Sequence, residues 1–425
     1  MQNDCFPDSL ADWEKVPVIA LAEQNPRYPV KKGVEYPFVE MASVAENFGG
    51  ISKLDSRQMA GSGLARFKVN DTLFAKITPC PENGKVAFVS SLPTDIGLGS
   101  TEFIVLSPRN ETDPRFLYHL VCSYAVRGRA TARMEGSTGR QRVPGDVFER
   151  RLFVPKPSKD EQAAIARVLD AVDTAIERTH IAIEKAQATR LALMQAAFHY
   201  EMTSESKYDT EAGRIPQSWE ALKGRQAFTI LTGGNSSVQA LKPLRGEDIA
   251  DAWFMKVDDF NLPVNLRKIV TTQIGFVADK NPSFKLLPLG TIIIAKRGAA
   301  ILKNRVRISA VPIALDPNLM ALTVRDDILP DFFRYQLEWR NLTRYIESSG
   351  VPQLNNKDLY PRWFVRAPEE QQQEIVTIIS TAEQHEDALH NKLAALEQLK
   401  RSLMHDLLTG TVRIAPKLIK ELSEL

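Results

Sequence analysis

A chain of 425 residues is long enough to form two or more domains, each burying a core of its own. Its apolar and charged fractions, 44% and 25%, are those of soluble globular proteins, and the absence of any run of about 18 apolar residues excludes a helical membrane span. The net charge of +2 by itself argues for no class of partner.

The opening residues, Met1-Gln2-Asn3-Asp4-Cys5-Phe6-Pro7, lack the basic and apolar regions of a secretory signal. Cys5, Cys80 and Cys122 are scattered without metal-ligand spacing and read as reduced thiols of a cytoplasmic protein. Residues 1–152 read as a first globule, mixed α/β with much loop. It contains a strand-like run from Gly84 to Val89 and a helical element from Pro114 to Leu120.

A helix follows at 153–203. Ser158-Lys159-Asp160-Glu161, just after Pro157, fits a capping box. Ile165, Leu169, Val172, Ile176, Ile183, Ala186, Leu193 and Ala197 then alternate at three- and four-residue steps, with gaps at Thr179 and Arg190. That is the seam of a coiled coil. Polar residues 200–215 form a junction into a second globule at 204–363, with a strand-like run from Thr291 to Ile294 and a helical element from Pro330 to Leu337. A second helix occupies 364–414. It has an acidic first turn after Pro368, a stripe at Ile375, Ile379, Ala382, Leu389, Leu393, Leu396, Leu403 and Leu407, and a stop at Gly410. Glu386 and Lys400 interrupt its seam and serve to fix register or orientation. Residues 415–425 are a peripheral tail.

The two helices align without a gap at an offset of about 210 residues: Ile165 falls on Ile375, Glu161-Gln162 on Gln371-Gln372, and Leu193-Met194 on Leu403-Met404. Gly139 precedes Pro157, and Gly350 precedes Pro368, by the same interval. The expected fold is therefore α+β: two α/β globules separated by two long antiparallel coiled-coil helices in a pseudo-two-fold repeat. Duplex DNA is the common ligand of matching symmetry, with two half-sites for two similar modules. Charge distribution agrees. Net charge is +1 over 1–152 and +5 over 204–363, but −1 and −3 over the two helical segments. Positive charge is concentrated at 127–142, with five Arg and one Glu, and at 296–307, with five basic residues and no acid.

No segment carries a catalytic signature. Asn281-Pro282-Ser283-Phe284 is similar to the Asn-Pro-Pro-Phe motif of amino-methyltransferases but lacks its second proline, and no methyl-donor loop accompanies it, so it reads as a turn. Gly61-Ser62-Gly63 and Gly97-Leu98-Gly99 are too short for dinucleotide loops, and Gly84-Lys85-Val86 is no phosphate loop. Glu205-Ser206-Lys207 lacks the acidic partner of a nuclease site, and the six His show no metal or triad pairing.

Asp71-Thr72-Leu73-Phe74-Ala75-Lys76-Ile77-Thr78-Pro79-Cys80, continuing through Glu82-Asn83-Gly84-Lys85, resembles a stretch of the specificity subunits of type I restriction-modification systems. So do Gly99-Ser100-Thr101-Glu102-Phe103, the segment from Gly213 to Trp219, and the helix opening Pro157, Glu161, Gln162, Ile165. The second helix carries Gln371-Gln372 instead, and the second globule has Ile294-Ala295-Lys296-Arg297-Gly298. The resemblance implies a non-catalytic subunit whose two target-recognition domains each read half of a split, asymmetric DNA sequence. Its helices would bind two adenine-methyltransferase subunits, and the complex would recruit ATP-dependent restriction and translocase subunits. No cofactor is expected in this chain; S-adenosylmethionine, ATP and Mg belong to the partners, and no membrane is involved.

The expected contacts in the first globule are Lys76, Thr78, Asn83 and Lys85, with Arg140 and Arg142 on phosphate or guanine and Gln141 pairing with adenine. In the second they are Lys296, Arg297, Lys303 and Arg305, with Gln353, Asn355 and Asn356 following Ser348-Ser349-Gly350 where the first globule has Ser137-Thr138-Gly139-Arg140. Trp and Phe are expected in the cores. A competing reading is a coiled-coil scaffold with peptide-binding globules, and a third is a stand-alone modification enzyme. Salt-dependent, sequence-selective retention of duplex DNA separates the first reading from the scaffold.

Overall fold

The computed structural model describes residues 13–59, 63–137, 139–232, 238–346 and 351–423. Met1 to Pro7 with Cys5, Gly61-Ser62, Thr138 and Ser348-Ser349-Gly350 lie outside them. The chain forms two compact units. One comprises residues 1–181 with 391–425, the other residues 182–390.

In the first unit the apolar run Leu73-Phe74-Ala75 is buried on both faces, because strand Thr72–Ala75 is central in an antiparallel sheet. It lies between Phe103–Pro108, which pairs on its far side with Ala22–Gln24, and Val86–Phe88. A second sheet orders Asp55–Gln58, Glu35–Val39, Gly97–Gly99 and Ala65–Phe67, its middle pair parallel. Gly97 and Gly99 are required there: a Cβ on Gly97 would stand 2.3 Å from the Phe67 ring. Helix α1 (Pro114–Cys122) starts at Asp113, whose carboxylate accepts the Phe116 N–H at 2.8 Å, with Pro114 in the first turn. Its Phe116, Leu117, Leu120 and Val121 join the core.

Helix α2 (Lys159–Phe198) has 40 residues, about 60 Å at 1.5 Å per residue. Ser158 caps it, accepting the Glu161 N–H at 3.4 Å. The expected capping box is only half formed, since the Glu161 carboxylate is occupied by Trp13 and Arg413.

The second unit repeats this plan. Ile292–Ala295 is buried on both faces between Leu319–Val324 and Val306–Ser309, in a sheet completed by Phe228–Thr232 and Lys268–Ile269. A smaller sheet again contains a parallel pair, Ala252–Met255 with Ile313–Leu315. Helix α3 (Pro330–Arg340) occupies the place of α1. In each unit a two-stranded ribbon closes the head just before a long helix: Glu14–Pro17 with Phe153–Lys156, and Glu220–Lys223 with Trp363–Arg366. Trp and Phe are largely buried, Trp219, Phe332, Phe333 and Phe364 among them. The Asn281 turn is structural, because its amide accepts the Lys242 N–H and donates to the Val277 carbonyl, and Phe284 packs on Phe254 and Phe276.

Helix α4 (Glu369–Thr409) ends at Gly410, where φ is +73°, in the left-handed region. The long helices pair antiparallel within each unit. In the first, Asp173 meets Lys400 at 2.5 Å, and Glu161 meets Arg413 just past the end of α4. In the second, Gln187 and Arg190 both reach Glu386. Glu386 and Lys400 do join the helices, as their placement in the seam suggested. Thr179 turns its hydroxyl back to the Ala175 carbonyl and is buried in the seam.

Candidate nucleic-acid interface

The backbone end of each central strand carries the first candidate residues. Past Ala75, Lys76-Ile77-Thr78 runs antiparallel to Gln141-Arg142-Val143: Thr78 N–H donates to the Gln141 carbonyl at 3.0 Å and Val143 N–H to that of Lys76 at 2.8 Å. Past Ala295, Lys296-Arg297-Gly298 runs antiparallel to Pro352-Gln353-Leu354. Here Gly298 N–H donates to Pro352 at 2.8 Å and Leu354 N–H to Lys296 at 2.9 Å. Register is identical, so Lys76 corresponds to Lys296, Ile77 to Arg297, and Arg142 to Gln353. The segment after the second globule's helix thus occupies the place of the first globule's Gly139–Arg142 segment.

The candidate side chains divide by what they hold. Arg140 and Gln141 are exposed and form no side-chain bond among the described residues, and the same is true of Arg297 and Lys303. Lys76 and Lys296 are half-buried, and neither ammonium group is hydrogen-bonded among the described residues. Arg142 is already committed: its guanidinium grips the Glu102 carboxylate at 2.8 to 3.2 Å, and its hydrogen bonds and charge hold that carboxyl below the usual range. Lys85 donates to the Met41 carbonyl at 3.1 Å, Asn83 to Glu46 at 2.9 Å, and Thr78 to Glu82 at 2.7 Å. Arg305 donates to the Phe260 carbonyl and the Asn261 side chain. Gln353 donates to Asn355, which caps the one-turn helix Asn356–Leu359, with Asn356 exposed at its first position. These committed groups shape the two loops, while the unbonded ones leave charge exposed.

The helix openings explain themselves once their partners are seen. Gln162 is fully buried: its carbonyl accepts the Asp113 N–H and its amide donates to the Pro157 and Glu111 carbonyls. Gln372 does the same for Leu329, Asp327 and Ala367. The residue before each Gln receives a tryptophan N–H, Trp13 onto Glu161 at 3.2 Å and Trp219 onto Gln371 at 2.6 Å. Glu161 also faces the cation Arg413, whereas Gln371 donates to the carboxylate of Glu205. That opposite charge accounts for Glu in one copy and Gln in the other.

Charged clusters seat each head on its helices. Arg115 and His119 of α1 converge on Asp170 of α2, beside the Asp173–Lys400 pair. Burial works against the Asp170 charge, but bonds from His119 and Arg115 hold its carboxyl at about 2. His119, Asp170 and Asp173 lie close enough to hold a metal ion. With Arg115 and Lys400 already neutralising both carboxylates, the cluster is an ion-pair network instead. In the second unit Arg334 and Tyr335 of α3 bond Glu383, and Arg190 and Arg267 bond Glu386.

No family model matches the chain. It is 32% identical over 166 residues to the EcoAI specificity subunit of Escherichia coli, covering 38% of this chain and 28% of that protein. It is 26% identical over 234 residues to the EcoEI specificity subunit of the same organism, covering 54% and 38%. The chain resembles the specificity subunits of type I restriction enzymes. The aligned stretches span under half the length of those two relatives. A solved chain from work on the complex assembly and conformational transition of a type I restriction-modification system shares its fold, with a TM-score of 0.59 at 18% identity over 96% of this chain and 99% of that one.

Sequence reading did not find Arg27 and Arg66, which converge with Lys76 on one cleft, because nothing in their spacing links them to it. Clustered basic residues with at most one acid among them were available as a signal at 127–142 and 296–307. No helix among the described residues is long and apolar enough to cross a membrane.

Proposed function

We propose that this chain is the non-catalytic, DNA-reading subunit of a type I restriction-modification assembly. Each head reads one half of a bipartite, asymmetric duplex target. The paired helices bind two adenine-methyltransferase subunits, and the complex recruits ATP-dependent restriction subunits in the cytoplasm. S-adenosylmethionine, ATP and Mg act in those partners.

The observation that carries this reading is the shared cross-pairing of Lys76–Thr78 with Gln141–Val143 and of Lys296–Gly298 with Pro352–Leu354. Two heads with different surface residues present their uncompensated basic groups from one backbone scaffold. Fixed scaffolds with variable tips suit base-edge recognition, in which side chains rather than backbone select the sequence. Free Arg and Lys supply the phosphate attraction common to both.

The test is methylome sequencing of cells that express the chain with its methyltransferase partner. A single split adenine-methylated motif is expected, with one half-site altered when residues of one head are exchanged. Methylation that keeps its sequence after the first head is replaced would sink the proposal. The scaffold alternative requires no DNA retention at all.

A further inference from the structure

Beside the paired segments of the first head lies a cleft of about 620 Å³ whose described lining contains three cationic side chains and no carboxylate. Arg27 follows strand Ala22–Gln24, Arg66 lies within Ala65–Phe67, and Lys76 follows Thr72–Ala75, so three separate strands deliver them. Asn25, Thr101 and Phe103 complete the part that matters here.

The donors in this cleft exceed what the protein uses. Arg66 gives one N–H to the Tyr28 carbonyl at 2.7 Å, which fixes its guanidinium and leaves further N–H groups. Arg27 is exposed and Lys76 half-buried, and neither side chain is bonded among the described residues. Glu102, the carboxylate that feels Lys76, is already gripped by Arg142. Asn25 sits at φ +51° with its amide oxygen accepting the Val105 N–H at 3.0 Å, so its NH2 group remains a donor. The Thr101 hydroxyl is likewise unbonded among the described residues. Like charges gathered without an anion repel, and a ligand with several acceptor oxygens relieves that repulsion.

We propose that this cleft is a phosphate-binding site, in which Arg27, Arg66 and Lys76 hold a phosphate group while Asn25 and Thr101 donate to it. Two sources offer that chemistry: the backbone of the DNA strand, which rests on the function proposed above, or a free phosphate ester. The site belongs to the first head only. In the second, Lys296 stands where Lys76 does, but Leu287 bridges Ile313 as Phe67 pairs with Gly97, which puts the uncharged Leu286 in the place of Arg66.

The full chain is tested as wild type, Arg27→Gln and Lys76→Gln, with Arg140→Gln and Lys296→Gln as markers of the reading face. Neither Arg27 nor Lys76 supports the fold through its side chain, and circular dichroism checks this. Inorganic phosphate is titrated by ³¹P line broadening, and duplex binding is followed across a salt series. Broadening by wild type but not by Arg27→Gln or Lys76→Gln is expected. For a strand phosphate, Arg27→Gln also lowers the slope of log affinity against log salt by about 0.9, equally on matched and scrambled duplexes. Broadening lost without any change in slope supports a free phosphate ester as the source. Phosphate broadening that is absent from wild type, with unchanged slopes in both cleft variants, overturns the site. If instead the wild-type chain retains no duplex at any salt while phosphate binds, the DNA reading fails and the site stands.

Discussion

Arg334 and Glu383 meet through two hydrogen bonds of 3.0 and 2.8 Å, with their side chains only 2% and 6% exposed. Tyr335 adds its hydroxyl to the same carboxylate at 2.8 Å. Burial opposes the Glu383 charge, but the Arg334 bonds and charge hold the carboxyl below its usual range. Glu383→Gln leaves a buried guanidinium with Glu338 and Asp331 as its remaining anions. A loss of about 3 kcal/mol is expected, the low end for breaking a buried pair. Urea midpoints measure it, and a loss below about 1 kcal/mol would mean that the pair is not what seats α3 on α4.

Gln372→Glu is expected to cost about 2–4 kcal/mol at pH 7. The carboxylate still accepts the Leu329 N–H but cannot donate to the Asp327 and Ala367 carbonyls, leaving buried acceptors against a negative charge. Acid protonates the group, at a pH raised above the usual carboxylate range by burial against two carbonyls, and the acid form regains one donor and recovers part of the loss. Equal costs at pH 7 and in acid would contradict the hydrogen-bond account.

Stability of the first unit should fall as pH drops below about 6.5. Burial pulls the His119 imidazole below its usual range, more strongly than Asp170 draws it up. The unfolded chain therefore takes up a proton before the folded one, so acid favours unfolding through this window. Asp170 acts lower. Its carboxyl, at about 2 in the fold, contributes stability that persists above pH 4 and is lost as pH falls towards 2. Denaturation at pH 7 and 5.5 checks the assignment, since His119→Gln should flatten the slope between them. An unchanged slope would assign the effect elsewhere.

Arg140→Ala and Arg142→Ala should behave differently. Arg140 is unengaged, so its loss relaxes one half-site by about 1–3 kcal/mol if it reads a base, or weakens all sequences alike if it meets phosphate. Arg142 holds Glu102, and its removal also frees that carboxylate beside Lys76. Binding to half-site variants separates these effects. Unaltered affinity in both variants would show that the reading face lies elsewhere.

Periodicity made the long helices legible, because a seam repeated over many turns leaves few alternatives, and Gly410 marked an end. The correspondence of Gln141-Arg142 with Pro352-Gln353 was legible as well, from their distance to each helix. What sequence could not supply was pairing at long range. Glu383 was not recognised as buried, since its partner Arg334 lies 49 residues away. Glu161 looked like the return half of a capping box because local spacing fits one, yet Trp13 and Arg413 compete for it from opposite ends of the chain. At the interface, composition located the basic patches but did not separate free Arg140 from committed Arg142, Lys85 and Arg305. That difference is made by Glu102, Met41 and Phe260, each from a different loop.

Leu407, Leu408 and Ile414 sit in the same core as Val16, Phe74 and Ile165. The first head is therefore finished only once residues 407–414 have been made. A ribosome that has released the chain only as far as residue 200 has made a head with part of its floor missing, and termination near residue 390 would be felt first in that head.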